Sequence, residues 1–284
     1  MAIKFGTETS RSAHSNSLTY ATGSHCFLLL TIHHTMRHIK RIPLLLLLLG
    51  ALLSVQAKPK AKPKLLVFSK TMGFRHDAIP VGKLAMIKLG NENGFAVDTT
   101  EDASVFTPEN LKQYSAIMFL NTTGNVLDDA QQAAMEAYIR NGGGFIGIHA
   151  ATDTEYDWPW YNKLVGAYFL SHPKQQEAKL LVVDHNNAAT KHLPDQWVRK
   201  DEWYNFKDIN PDTHVLVKID ESSYEGGKNG DNHPMCWYHD FEGGRAFYTE
   251  LGHTKESYAD PLYLQHVLGG IRYAMGATGK KKHS

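Results

Sequence analysis

Short apolar runs and amphipathic stretches alternate along residues 64–149. The apolar runs predict strands at 65–69, 95–99, 115–120 and 145–149. Helical spacing predicts a helix at 79–93 with Ile79, Leu84, Ile87 and Leu89 as its apolar residues, a short helix opened by Thr107-Pro108, and a helix at 128–140. Because short strand–helix units are joined by right-handed crossovers, this half predicts an open α/β sheet of parallel strands with helices on both faces.

The pattern is less regular after residue 150. Strands are predicted at 179–184 and 213–219, and a β-hairpin insertion at 235–249, whose two arms flank the turn at 240–244. A last helix is predicted at 261–275, where apolar residues recur at helical spacing. The second half therefore adds a mixed region to the parallel sheet.

A leader precedes the predicted domain. Residues 37–57 have a basic start, an apolar run and the small-residue ending Val55-Gln56-Ala57, which is the pattern of a secretory signal peptide cleaved near Ala57. A permanent membrane anchor is the alternative, but it needs roughly 20 apolar residues. The run at 42–55 is shorter and contains Pro43 and Gly50. We therefore expect a periplasmic or secreted protein with no permanent membrane span.

These features divide the chain into five segments. They are a non-native or disordered extension at 1–35, a signal peptide at 36–57, a linker at 58–63, a domain at 64–276 and a disordered tail at 277–284. Met36 is a suitable start for the signal peptide, so the sequence leaves Met1 and Met36 open as the initiator.

The net charge and the cysteine count limit which partners and cross-links are expected. The 284 residues carry 30 basic and 29 acidic side chains, and removal of residues 1–57 leaves a formal charge of −3. A protein of this charge lacks the basic stripe of a nucleic-acid binder, so no nucleic-acid partner is expected. Cys236 is the one cysteine after the leader, which excludes an internal disulfide and favours a buried apolar role.

Several common catalytic motifs are missing from the sequence. There is no Gly-x-Ser-x-Gly, Gly-x-x-x-x-Gly-Lys-Ser/Thr or His-Glu-x-x-His, and the glycines at 142–147 precede a predicted strand instead of following one. These absences argue against a serine hydrolase, a P-loop nucleotide site, a dinucleotide site and a zinc protease of that motif.

Three histidines follow predicted strands of the sheet. His76 lies in the loop after the first strand, His149 ends the strand at 145–149, and His253 comes soon after the strand at 245–249. Functional groups of open α/β sheets gather beyond the carboxyl ends of the strands. We therefore expect these imidazoles to converge, either for proton transfer or to bind a divalent metal ion. The candidate metal ligands are His149, His172 and His253.

Acidic and aromatic residues accompany these histidines. The candidate catalytic residues are His149, His253, Asp201, Glu202 and Asp153, and the candidate substrate-binding residues are Arg75, His76, Trp158, His172, Trp203, Tyr204 and Trp237. Aromatic faces beside carboxylates suit a small-molecule carbohydrate, although core packing accounts equally well for the aromatic residues. The sequence does not indicate an oligomeric state.

Six spaced motifs resemble the trehalose-utilisation (ThuA-like) family. They are Phe74-Arg-His-Asp77, Gly143-Gly-Phe-Ile-Gly-Ile-His-Ala-Ala-Thr-Asp153, Ser171-His-Pro173, Asp201-Glu-Trp-Tyr204, Gly243-Gly-Arg-Ala-Phe-Tyr-Thr249 and Leu251-Gly-His-Thr254. The resemblance runs from about Lys64 to Met275. It implies a flavodoxin-like fold related to class I glutamine amidotransferases, and a role in disaccharide catabolism through 3-keto sugars.

The resemblance to amidotransferases stops at the nucleophile. Those enzymes place a cysteine after Gly-Ile at the end of a strand, whereas here Gly147-Ile148 is followed by His149. Glutamine hydrolysis through a thioester is therefore not available. We expect instead a hydrolase or lyase acting on 3-keto-glycosides, in which His149 or His253 is the base and His76 or Arg75 stabilises the enolate. A non-catalytic periplasmic sugar-binding or accessory module is the alternative.

Overall fold

The computed structural model describes residues 62–276, which form a large mixed sheet and a small one. The strands are β1 (Lys64–Phe68), β2 (Ala96–Thr100), β3 (Ala116–Leu120), β4 (Gly144–Ile148), β5 (Tyr168–Ser171), β6 (Gln176–Val182), β7 (Gln196–Asp201), β8 (Asn205–Lys207), β9 (His214–Ile219), β10 (Pro234–Phe241) and β11 (Gly244–Thr249). The large sheet has the order β2-β1-β3-β4-β11-β10-β9-β6-β7, and β5 pairs with β8.

Five α-helices between residues 62 and 276 connect or cover these strands. They are α1 (Ile79–Asn93), α2 (Pro108–Leu111), α3 (Asp129–Arg140), α4 (Pro159–Val165) and α5 (Pro261–Ala274). The predicted Thr107 cap is present, since its side chain accepts from the Asn110 N–H. Asp128 also caps α3, in a capping box with Gln131.

The parallel half of the sheet positions the candidate site. Strands β2, β1, β3, β4 and β11 run parallel, and every residue of β3 and β4 is buried. Burial on both faces requires helices on both sides, which confirms the predicted α/β class and explains the continuous apolar runs. Since these strands are parallel, the segments after Phe68, Ile148 and Thr249 lie at one edge of the sheet.

The antiparallel half differs more from the prediction. The predicted hairpin is β10 and β11, and β11 also pairs with β4, so the hairpin belongs to the main sheet. Strands β5, β7 and β8 were not predicted. In α1, Leu84 is exposed although its spacing predicts a core position, because the buried side of the helix is formed by Ile79, Met86, Leu89 and two glycines.

The signal peptide, the linker and the tail lie largely or wholly outside the described residues, and their assignment stays a prediction. Between residues 62 and 276, no helix is long and apolar enough to cross a bilayer.

Candidate functional site

A strained turn at the end of β4 places His149 at the carboxyl edge of the sheet. His149 has a φ of 48°, in the left-handed region that non-glycine residues rarely occupy. Its carbonyl accepts a hydrogen bond from the Tyr248 hydroxyl at 2.8 Å, and its Nδ1 donates to the Glu250 carbonyl at 2.7 Å. The side chain is fully buried and its Nε2 points towards the loop after β11.

Three histidines and one carboxylate meet beside this turn, and we call His76, His149, Glu202 and His253 the inner cluster. Each offers one ligand atom, and these atoms lie within 4.8 Å of one another. Nε2 of His149 is 3.1 Å from Nδ1 of His253 and 3.4 Å from Oε2 of Glu202. The ring of His76 stands edge-on to the rings of His149 and His253, at 4.9 and 5.1 Å. The predicted convergence of the three imidazoles is therefore present.

Glu202 joins the inner cluster to a more exposed histidine. Its Oε2 is 3.1 Å from Nδ1 of His253, and its Oε1 is 3.2 Å from Nδ1 of His172. The His172 side chain is 42% exposed, against 15% for His253. One buried carboxylate therefore holds two imidazoles that face solvent to different degrees.

Burial and neighbouring charges give the titratable groups of the site different protonation states. Burial, aided by His149 and His253, lowers the pKa of His76 to about 2. Burial acts to lower the pKa of His149, but hydrogen bonds with Glu202 and Glu250 outweigh it and raise that pKa to about 10. Burial acts to raise the pKa of Glu202, yet its bonds with His149 and His253 keep it well below the usual range. A charged His149 thus lies between carboxylates, next to a neutral His76.

Two further acids hold the site together. Burial raises the pKa of Glu250 to about 7 against the opposing effect of His149. Its Oε1 accepts from the Tyr204 N–H at 3.1 Å. Asp201 accepts from the Gly252 N–H at 3.3 Å and the Ser257 hydroxyl at 3.1 Å, so this carboxylate fixes the loop that carries His253.

Glu250 and Gln175 were not among the predicted site residues. Glu250 directly follows β11, and the strand-end rule that selects His149 applies to it equally. Gln175 approaches Nε2 of His253 to 2.6 Å from the segment before β6. Only knowledge of the antiparallel half of the fold reveals that approach.

All three tryptophans predicted to bind substrate lie in the core. Trp203 and Trp237 are almost completely buried, and their indole N–H groups donate to the carbonyls of Gln176 and Val165. Trp158 is 7% exposed and donates to Glu136 on α3. These indoles present little or no face to a ligand, so core packing accounts for them.

Of the other predicted residues, Tyr204 contacts the inner cluster, whereas Asp153 and Arg75 form hydrogen bonds with residues outside it. The Tyr204 ring packs on His149 with centroids 4.2 Å apart and forms a wall of the site. Asp153 accepts from the Tyr156 hydroxyl at 2.7 Å, and burial raises its pKa. Arg75 is next to His76 in sequence, but its guanidinium forms two 2.9 Å hydrogen bonds with Glu101.

A separate cavity of about 360 Å³ lies at the opposite, amino end of the parallel strands. Tyr114, Tyr138 and Arg245 contribute to its lining, and none of its lining residues is a histidine. We place the candidate site at the inner cluster, where the titratable groups converge, since this cavity brings together no comparable set of them.

A flavodoxin-like α/β sheet with a histidine–carboxylate cluster beyond its strand ends defines the class of protein. The model of the ThuA, or trehalose utilisation, family matches residues 64–274, so the chain belongs to that family. No curated protein matches the chain.

Solved structures agree with this assignment. A ThuA-like protein from Bacteroides uniformis ATCC 8492 is 27% identical, with a TM-score of 0.64, over 77% of this chain and 94% of that one. One from Parabacteroides merdae ATCC 43184 is 20% identical, with a TM-score of 0.64, over 78% and 94%. A cytoplasmic protein from Salmonella typhimurium shares the fold at 11% identity and a TM-score of 0.54, over 75% and 99%.

Proposed function

We propose that this protein is a glycoside-processing enzyme, a hydrolase or lyase that acts on 3-keto-glycosides and is exported by its leader. The observation that carries the proposal is the position of Glu202 between two imidazoles of unequal exposure, beside the buried His149. A carboxylate that orients an imidazole is a common device for general acid–base catalysis. Membership of the ThuA family supports a role in sugar catabolism.

The chemistry needs one base and one positive group. A 3-keto group acidifies the C–H bond at C2, so an imidazole held by Glu202 can remove that proton and leave an enolate. When the enolate oxygen re-forms the carbonyl, the electron pair of the C2–C3 double bond moves to C1–C2 and the C1–O bond breaks, so that the glycosidic oxygen leaves and takes up a proton. Addition of water to C1 then completes hydrolysis, whereas a lyase releases the unsaturated sugar.

His172 and His253 are the two candidates for the base. Both Nδ1 atoms contact Glu202, and both side chains reach solvent. The buried pair His76 and His149 lies behind them, where positive charge on His149 stabilises an enolate oxygen.

Turnover of a 3-keto-disaccharide by the purified protein tests the proposal. We expect His253→Ala, His149→Ala and Glu202→Gln each to lower kcat/KM by about 10²-fold or more. A positioned base contributes roughly 10²–10⁴, and loss of a group that stabilises the oxyanion costs roughly 10²–10³. His185→Ala is a matched control, because this histidine is partly exposed and contacts Asp195 away from the inner cluster. Unchanged turnover in both His149→Ala and His253→Ala contradicts the mechanism.

A non-catalytic sugar-binding module remains the alternative function. Calorimetry with oxidised and unoxidised disaccharides separates the two. Tight binding with no product after long incubation favours the module, and product formation favours the enzyme.

A further inference from the structure

We propose that the inner cluster binds one divalent transition-metal ion through His76, His149, Glu202 and His253. Three imidazoles and a carboxylate form a donor set suited to Zn²⁺ and to other ions of the first transition row. The inference concerns the site of the proposed function and deepens it, but metal binding itself needs no turnover.

The spacing of the donor atoms supports this assignment. Nε2 of His149, Nδ1 of His253 and Oε2 of Glu202 form a triangle with sides of 3.1, 3.1 and 3.4 Å. Metal–ligand bonds of about 2.0–2.1 Å at tetrahedral angles place ligand atoms about 3.3 Å apart. An ion therefore fits above this triangle at normal bond lengths with little movement of the three side chains.

The outer nitrogens of two ligands are held by the protein. Nδ1 of His149 donates to the Glu250 carbonyl at 2.7 Å, so the Nε2 lone pair is directed at the cluster once an ion has displaced the Nε2 proton of the charged ring. Nε2 of His253 lies 2.6 Å from the amide nitrogen of Gln175, and a flip of that amide exchanges its nitrogen and oxygen. With the amide oxygen turned to this nitrogen, His253 donates outward and its Nδ1 lone pair faces inward. Such anchoring of the non-ligating nitrogen is typical of metal-bound histidines.

His76 supplies the fourth donor. It is 3% exposed, and its Nδ1 is buried without a hydrogen-bond partner among the described residues. An unpaired buried nitrogen is costly unless something binds it. Its ring lies about 5 Å from the rings of His149 and His253, so a short movement of the 70–76 loop brings it to the ion.

The proposed ligand set differs from the one predicted from the sequence. His172 contacts Glu202 on the oxygen that faces away from the triangle, so we place His172 outside the set and His76 and Glu202 within it. A bound ion occupies the lone pair of His253. His172 is then the imidazole on Glu202 that is free to act as the base, and the ion supplies positive charge for the enolate oxygen.

Metal binding by the untagged, chelator-stripped protein tests the inference. We expect calorimetry with Zn²⁺ or Co²⁺ to give one equivalent, and Co²⁺ to give visible absorption bands of nitrogen–oxygen coordination. Glu202→Gln and His253→Ala are expected to weaken binding at least about 10²-fold, because even outer-shell changes cost roughly 10–100-fold. His185→Ala is expected to bind like the wild type, and His172→Ala to lose less than tenfold.

The possible outcomes separate metal binding from catalysis. Failure of the wild type to bind Zn²⁺ or Co²⁺ at a stoichiometry near one overturns the inference. Equal affinity in Glu202→Gln and His253→Ala, with circular dichroism showing both folded, overturns it as well. One equivalent of metal without turnover of any keto-glycoside supports the site and refutes the proposed function. Turnover that survives complete chelation, in a protein that binds no metal, supports the proposed function and refutes the metal site.

Discussion

His266 links the stability of the fold to pH at a point behind the candidate site. It is fully buried on α5, its Nδ1 donates to the Ala189 carbonyl at 2.8 Å, and its Nε2 accepts from the Thr249 hydroxyl at 3.0 Å. Both hydrogen bonds require the neutral tautomer with its proton on Nδ1. Protonation of Nε2 removes the acceptor for the Thr249 hydroxyl. Burial accordingly lowers the pKa of His266 from 6.5 to about 4.

The direction of the effect follows from the lowered pKa. Between pH 6.5 and about 4, His266 is protonated in the unfolded chain but stays neutral in the folded chain. Its contribution to stability is therefore complete above pH 6.5 and is lost as the pH falls towards about 4. The full shift corresponds to roughly 3 kcal/mol, of which about 2 kcal/mol is lost by pH 5.

Urea denaturation at pH 7 and pH 5 measures this loss. We expect the free energy of unfolding of the wild type to fall by about 2 kcal/mol more than that of His266→Gln between these two pH values. The other buried histidines contribute equally to both proteins and cancel in the comparison. His185→Gln, at a partly exposed histidine, is expected to behave like the wild type. Equal pH dependence in the wild type and His266→Gln refutes the reasoning.

Three other substitutions test the framework of the site. Gly144→Ala is expected to destabilise the fold by roughly 1–3 kcal/mol, because a Cβ there collides with the Ala274 carbonyl. Tyr248→Phe removes the 2.8 Å hydrogen bond to the His149 carbonyl and is expected to cost about 1 kcal/mol and to slow turnover. Asp128→Ala removes the N-cap of α3 and is expected to cost about 1 kcal/mol without affecting kcat.

Thermal and urea denaturation measure the stability changes, and initial rates measure the turnover. Gly73→Ala is the control for Gly144→Ala, because its Cβ meets nothing closer than 3.4 Å. Wild-type stability in Gly144→Ala contradicts the described packing of β4 against α5. A Tyr248→Phe protein with unchanged kcat shows that the strained turn needs no support from this hydroxyl.

The parallel half of the fold and its histidines could be predicted from the sequence. Continuous apolar runs identify buried parallel strands, and strands that run in one direction end at one edge. The meeting of His76, His149 and His253 then follows from topology alone. Glu250 follows from the same rule, although it was left out of the predicted site.

The antiparallel half could not be predicted in the same way. In the sequence Trp203 follows two acidic residues, and Trp237 lies on a predicted hairpin arm near its turn, which favours a ligand-binding surface for both. Both indoles are buried through long-range contacts: Trp237 stacks on Tyr248 across the β10–β11 pair, and Trp203 donates to the Gln176 carbonyl of β6. The inward direction of Glu202 after β7 depends on contacts with residues far along the chain.

The order in which the chain is synthesised has a consequence for the inner cluster. Its members enter the growing polypeptide at widely separated times, from His76 to His253. A nascent chain that stops before His253 therefore has no complete cluster, and the sugar and metal binding proposed above both require this last histidine. We expect a truncation before Gly252 to abolish ligand binding even where the earlier strands still form.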